Sequence, residues 1–227
     1  MTPAGRPLLI FPCNGNGVEA LDCLGDAHHC IGFVDDTPSK QGSRVHGIAV
    51  YGRAVLTERP EVQVLAVPGS PVSYPTRREV IRGLGLAETR LARVVHPSAR
   101  VSPLARLGHN VLVMAGVVIT ANAVIGDHVC ILPNTVIHHD VTVGDWTLIG
   151  SNVTLAGGVV VDENAYIGSG TSVMNGVRIG ARALVGLGSN VIRNVAAEST
   201  VAGNPARPIG SVRSAAVTGR TESDRPS

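Results

Sequence analysis

One short run of this sequence holds the residue types that general acid–base chemistry needs. Ile137 is followed by His138-His139-Asp140. Histidine titrates near neutral pH. It therefore suits the removal of a proton from an attacking amine or hydroxyl, the step that acyl transfer to such a nucleophile requires. A carboxylate beside the ring orients it and stabilises its cation, the part an acid plays in a triad. The alternative is that His138 and His139 are solvated surface residues. The remaining histidines, His28, His29, His46, His96, His109 and His128, are read as structural or solvent-exposed, and their spacing builds no zinc site.

A second constellation lies near the start of the chain. The apolar run Pro7 to Phe11 reads as a buried strand and ends in Pro12-Cys13-Asn14-Gly15-Asn16-Gly17. A helix over about 18–24 follows, then a strand at Ile31 to Val34, then Asp35-Asp36. Strand, glycine-bearing turn, helix, strand and acid is the order of a nucleotide-binding βαβ unit. Pro12 stands where a first glycine is expected, so a plain structural turn is the competing reading. Asp35 and Asp36 likewise read either as nucleotide ligands or as a helix cap or turn. Val62 to Val67 reads as another strand, running into Pro68-Gly69-Ser70. Thr76 to Leu84 has helical spacing, with Arg77, Arg78 and Glu79 on its polar side. The alternation implies a small parallel α/β domain.

The element that must position His139 is a repeat. From Val95 to Val191 every sixth residue is aliphatic, without insertion or slip, and the residue four further on is small or β-branched. A six-residue period is the signature of a parallel β-helix. Each hexad makes one short strand and one corner, and neighbouring repeats bury one continuous core. The aliphatic side chain points inward and the small one fills the tight interior near a corner, where a larger group would overpack. His139 and Asp140 follow inward-facing Ile137 and so fall at a corner, outside the core. Trp146 also falls at an outward position, as a subunit contact or a substrate wall. The pattern gives three segments: 1–90 as a Rossmann-like domain, 91–210 as the β-helix, and 211–227 as a small, polar tail expected to be disordered.

Bulk properties narrow the partners. Net charge is +2 over 227 residues, with no basic stripe, so nucleic acid is not expected. Cys13, Cys23, Cys30 and Cys130 show no metal or redox spacing, and a reduced, cytoplasmic protein is expected. No stretch approaches a membrane span or a signal peptide. With 3% aromatic residues, the chain suits a narrow prism filled by Val, Ile, Leu and Ala.

A nucleotide-binding-like domain followed by hexads with a His-Asp corner resembles the sugar acetyltransferases of the sialic acid O-acetyltransferase (NeuD) and bacillosamine-pathway (PglD) type. These belong to the hexapeptide-repeat acyltransferases. The resemblance covers roughly residues 7–209. It implies a left-handed β-helix of triangular section, in which residues eighteen apart stack. It implies a homotrimer, acetyl-CoA as co-substrate with no metal, and a nucleotide-sugar acceptor on the first domain. His139 then matches the general base and Asp140 the acid that supports it. Gly157, stacked over His139, matches a backbone amide near the thioester carbonyl; a sterically tight corner is the alternative. Asn14, Gly15 and Asn16 match the turn that holds the nucleotide-sugar. Asp35 and Asp36 match acids at its nucleoside end, and Gly69 matches a backbone contact. Ser169, Leu187 and Gly188 match acetyl-CoA contacts. Leu148 stands at the cofactor, where the family often carries a second histidine. The family turn usually ends Ser-Gly-His-Gly, and an Asn-Thr pair is usual where Leu132-Pro133 stand.

Three functions follow for comparison. The first is N-acetylation of a nucleotide-linked amino sugar of the UDP-4-amino type. The second is O-acetylation of a sugar such as sialic acid, or transfer to another small acceptor. The third is a non-catalytic sugar-binding scaffold.

Overall fold

The computed structural model describes residues 5–212. Of the expected tail, Ser211 ends a strand, and residues 213–227 lie outside the described residues.

The first part is an abbreviated βαβ domain. Strand β1 (Arg6–Phe11) leads into helix α1 (Gly15–Glu19), and β2 (His28–Val34) follows. A hairpin of β3 (Arg44–Val45) and β4 (Ile48–Tyr51), helix α2 (Ala54–Glu58), β5 (Gln63–Ala66) and helix α3 (Arg77–Arg82) complete it. The sheet order is β3-β4-β2-β1-β5, and β1 runs parallel to both β2 and β5. The strand order therefore reverses at β1, and the carboxyl ends of β1 and β5 form the crevice where such sheets bind ligands. Helix α1 begins three residues before the expected start because Asn14 caps it, accepting from Gly17 N–H. A Cβ on Gly17 would lie 2.0 Å from the Pro12 carbonyl oxygen, so only glycine lets the helix turn back this close to β1.

The hexads form three parallel sheets, one per side of a prism. The register joins residues eighteen apart, as in Val118 to Val136 and Ile119 to Ile137. The aliphatic positions from Val113 to Val191 pack into one core. Val95, in the first coil, is instead 37% exposed, because among the described residues its strand ends the sheet and no coil lies beneath it. Thr135, Thr147, Thr171 and Ser189 are fully buried. Each hydroxyl donates to a corner carbonyl, for example Thr135 to Gly150 at 2.7 Å, which offsets the cost of burying it.

The corners obey their own rule. From Asn110 to Gly188 every sixth residue has positive φ. That conformation costs Asn, Asp and Gly least. Three columns of corners result. Asn110, His128, Trp146, Asn164 and Arg182 form the first. Gly116, Asn134, Asn152, Gly170 and Gly188 form the second. Asn122, Asp140, Gly158 and Gly176 form the third.

The first column docks the α/β domain. Asn110 pairs with Ala66 like one more strand residue, accepting from its N–H at 2.8 Å and donating to its carbonyl at 2.7 Å. The His128 ring stacks on Trp146 with centroids 3.7 Å apart. Asn164 donates to Pro75 O, and the Tyr74 hydroxyl donates to Arg182 O. Arg77 does not lie on a polar face as its helical spacing suggested. It is 1% exposed, because α3 lies against the prism. Its guanidinium donates to the carbonyls of Pro68, His128 and Trp146. Trp146 does point out of the prism, yet it is buried under the first domain. Beside the column, Leu112, Met114, Cys130 and Leu148 share a core with Leu8, Ile10 and Phe33. The two parts are thus welded, and 91–210 alone would expose an apolar face.

Burial pushes the His128 imidazole down to about 4, below its ordinary value of about 6.5. Protons therefore favour the unfolded chain between those values, and stability falls as pH drops from about 6.5 to about 4. The loss expected from this one group is about 3 kcal/mol. His128→Asn, which tolerates the corner, should lose less stability over that interval in chemical denaturation. Equal losses in both proteins would contradict a buried neutral His128.

Candidate active site

His139 directly precedes Asp140 of the third corner column, with its side chain 62% exposed. Its Nδ1 lies 2.7 Å from Asp140 Oδ2. The hydrogen bond from His139, and after it one from Asn122, holds the Asp140 carboxyl below its ordinary range. An ionised Asp140 can only accept a hydrogen bond here, which favours the tautomer with the proton on Nδ1 and the lone pair on Nε2. Asn122, eighteen residues earlier, donates from Nδ2 to Asp140 Oδ1 at 3.0 Å. The coil above presents Gly157. A Cβ there would come within 2.6 Å of the His139 Cε1 and Nε2 atoms, so the missing side chain is the space the ring occupies. Gly158 N–H donates to His139 O, and Gly157 O accepts from Gly176 N–H. Among the described residues no backbone carbonyl accepts from Gly157 N–H, which leaves that donor for a ligand.

A cavity of about 320 Å³ opens at the carboxyl ends of β1 and β5. Asn14, Gly15, Asn16, Gly69, Ser70 and Pro71 line one wall. Leu132, Leu148, Ile149, Gly150 and Tyr166 of the prism line the other. Asn16 Nδ2 donates to Gly69 O at 3.3 Å, joining the two loops. Gly69 has a φ of +134°, and a Cβ on it would lie 2.7 Å from a Leu148 methyl. Leu148 is thus the floor on which the first domain rests as well as a wall of the cavity.

Other expected site residues lie elsewhere. Asp35 is buried and its carboxylate is fully used. It accepts from Cys13 N–H, from Thr37 N–H and from Lys40 Nζ, so it shapes the turn from behind. Burial alone would raise its carboxyl, but the hydrogen bonds from Thr37 and Lys40 and the Lys40 charge hold it below the ordinary range. Asp36 forms a two-pronged pair with Arg53. Neither acid lines the cavity. Ser169 Oγ accepts from Ser151 N–H at 3.0 Å. Ser169, Leu187 and Gly188 follow the second corner column, and the Leu187 side chain is 71% exposed. Sequence reasoning missed Asn122, Ser70, Pro71 and Tyr166. The spacing of eighteen between Asn122 and Asp140 was the available signal for the first. Among the described residues no cluster of His, Cys, Asp and Glu is arranged to hold a metal ion, and no helix is long and apolar enough to cross a membrane.

Comparison with known proteins places these features. The family described as "Bacterial transferase hexapeptide (six repeats)" matches residues 104–138 and 122–157. PerB from Caulobacter crescentus, solved in complex with CoA and GDP-perosamine, is 33% identical with a TM-score of 0.78; the match covers 91% of this chain and 98% of that one. The acetyltransferase domain of PglB from Neisseria gonorrhoeae, solved with acetyl coenzyme A, is 28% identical with a TM-score of 0.78, covering 91% and 100%. WeeI from Acinetobacter baumannii shares the fold at 21% identity and a TM-score of 0.74, covering 91% and 100%. No curated protein matches significantly in sequence.

The close approach of Gly157 to the ring yields a test. In Gly157→Ala the imidazole, lying on the outside, is expected to swing away from Asp140. The cost in unfolding free energy should be small, about 0.5 kcal/mol, as for a change at the surface. A crystal structure of the variant checks it: a ring still bonded to Asp140 would contradict the packing described.

Proposed function

This chain belongs to the NeuD/PglD-type sugar acetyltransferases of the hexapeptide-repeat left-handed β-helix acyltransferase family, and from that premise we propose its reaction in detail. It is an acetyltransferase that uses acetyl-CoA. The acceptor is the amine of a nucleotide-linked amino sugar, and His139 is the general base. Nε2 takes a proton from the amine as nitrogen attacks the thioester carbonyl. Asp140 stabilises the imidazolium. Gly157 N–H donates to the oxyanion that develops on the carbonyl oxygen. The C–S bond then breaks, and the departing CoA sulfur takes the proton held on Nε2, which restores the neutral imidazole. The observation that carries this reading is His139, bonded to an ionised Asp140 beneath a bare glycine with an unengaged N–H.

The acceptor is assigned to the cavity at Asn14–Asn16 and Gly69, with the nucleoside directed past that turn towards exposed Asp36, while Asp35 holds the turn from behind. Acetyl-CoA is assigned to the second column at Ser169, Leu187 and Gly188, with its thioester end at Leu148. The prism side that carries the first domain lies between the first and second columns. His139 adjoins the third, the vertex across from that side. One chain therefore cannot bring its own His139 to its own cavity. A neighbouring copy can, and three-fold closure makes three equal sites. The protein is accordingly proposed to be a homotrimer. A cytoplasmic location fits the four free cysteines.

The sequence expectation of a uridine nucleotide stands as the first reading for the base. The Caulobacter relative bound to GDP-perosamine makes a GDP-linked amino sugar the second. Thiol release from acetyl-CoA is to be followed with UDP- and GDP-linked 4-amino sugars, the free amino sugar and sialic acid. A nucleotide-linked amine should be preferred, with rates rising through neutral pH as the ammonium loses its proton. His139→Ala should be slower by about a hundredfold or more. Preferential O-acetylation, indifference to the nucleotide, or a fully active His139→Ala would overturn the proposal.

A further inference from the structure

We infer that Asn122 is a positioning residue for catalysis: its amide locks the Asp140 carboxylate so that one fixed oxygen meets the His139 ring. The inference rests on His139 acting as the base. Three observations on neighbouring coils support it. Asn122 Nδ2 donates to Asp140 Oδ1 at 3.0 Å while Oδ2 lies 2.7 Å from His139 Nδ1. The two oxygens thus have separate partners, and rotation of the carboxylate would break one bond to make another. Asn122 and Asp140 are both left-handed corner residues, at φ 61° and 60°, so their side chains leave stacked vertices in the same direction. All three side chains are exposed, and the prism core does not need the bond.

The surroundings supply no substitute. The coil below His138-His139-Asp140 presents Thr120, Ala121 and Asn122, and the coil above presents Ala156, Gly157 and Gly158. Among the described residues of these three corners, the titratable groups besides His139 are His138 and Asp140. An exposed side-chain pair held by a single contact exchanges readily with water. A second donor on the carboxylate reduces that freedom, and it fixes the tautomer in which Nε2 is free. The chemistry resembles the support given to a metal-bound histidine by an outer hydrogen-bond partner, here applied to a base.

Asn122→Gly suits the left-handed corner and deletes the amide. It is expected to lower kcat about tenfold, with KM for acetyl-CoA and for the acceptor changed less than about twofold. Asn122→Asp keeps the shape but sets a carboxylate against Asp140, and should be impaired at least as much. In an Asp140→Gly background, which also keeps the corner, Asn122→Gly should have no further effect. A wild-type kcat in either Asn122 variant, or an undiminished effect without Asp140, would overturn the inference. His139→Ala measured alongside separates the two claims. If it is active, the base assignment falls and this inference with it. If it is inactive while Asn122→Gly is normal, only this inference falls.

Discussion

The structure depends on one constraint: each coil must turn a corner every six residues and still hydrogen-bond to the coil beneath. Backbone N–H groups reach carbonyls one coil away along every face, and every sixth residue accepts a left-handed conformation to keep that ladder in register. Everything outside the prism then inherits a position. A side chain's column is fixed by its residue number, and its neighbours above and below are the residues eighteen away. His139, Asp140, Asn122 and Gly157 meet for this reason and no other. The site needs no dedicated loop, and a corner that is rigid for structural reasons holds its groups ready for chemistry.

The same rule divides labour among the corners. The first column carries larger polar and aromatic side chains, because it must grip another domain. Arg77 completes that grip. A buried guanidinium without an acid partner is costly, and here three carbonyls surround it. Burial still draws its pKa down to about 10, so it stays charged at neutral pH. The third column is stripped to Asn, Asp and Gly, which leaves room beside His139. The second column combines glycine with asparagine next to the exposed Leu187.

The β-helix was legible because its period is written in side-chain type. The inward positions from Val113 onward, the corner placement of His139 and Asp140, and the stacking of Gly157 appear as expected, whereas Val95 at the start of the repeat is exposed. The cavity joins Asn14, Gly15, Asn16, Gly69 and Leu148. What sequence could not supply was the docking of one domain on the other. Helical spacing put Arg77 in solvent, since a periodicity reports one element and not what lies against it. Trp146 was rightly placed outside the prism, but its cover comes from residues far away in the chain. Asp35 shows a similar limit: an acid after a second strand can face a nucleotide or hold the turn behind it, and only the bonds to Cys13, Thr37 and Lys40 show that it holds the turn.

The central claim is that cavity and base come from different copies of the chain. Gly15 lines the cavity, and a Cβ on it would meet nothing within 4 Å, so Gly15→Trp should fill the cavity without disturbing the fold. The decisive measurement mixes subunits of Gly15→Trp and His139→Ala, each inactive alone, and assays the reassembled oligomer. Random assembly pairs an intact cavity with an intact neighbouring His139 at about a quarter of the sites, so roughly that share of wild-type activity should return. Mixed oligomers, verified by differential tagging, that remain as inactive as either parent would contradict the account.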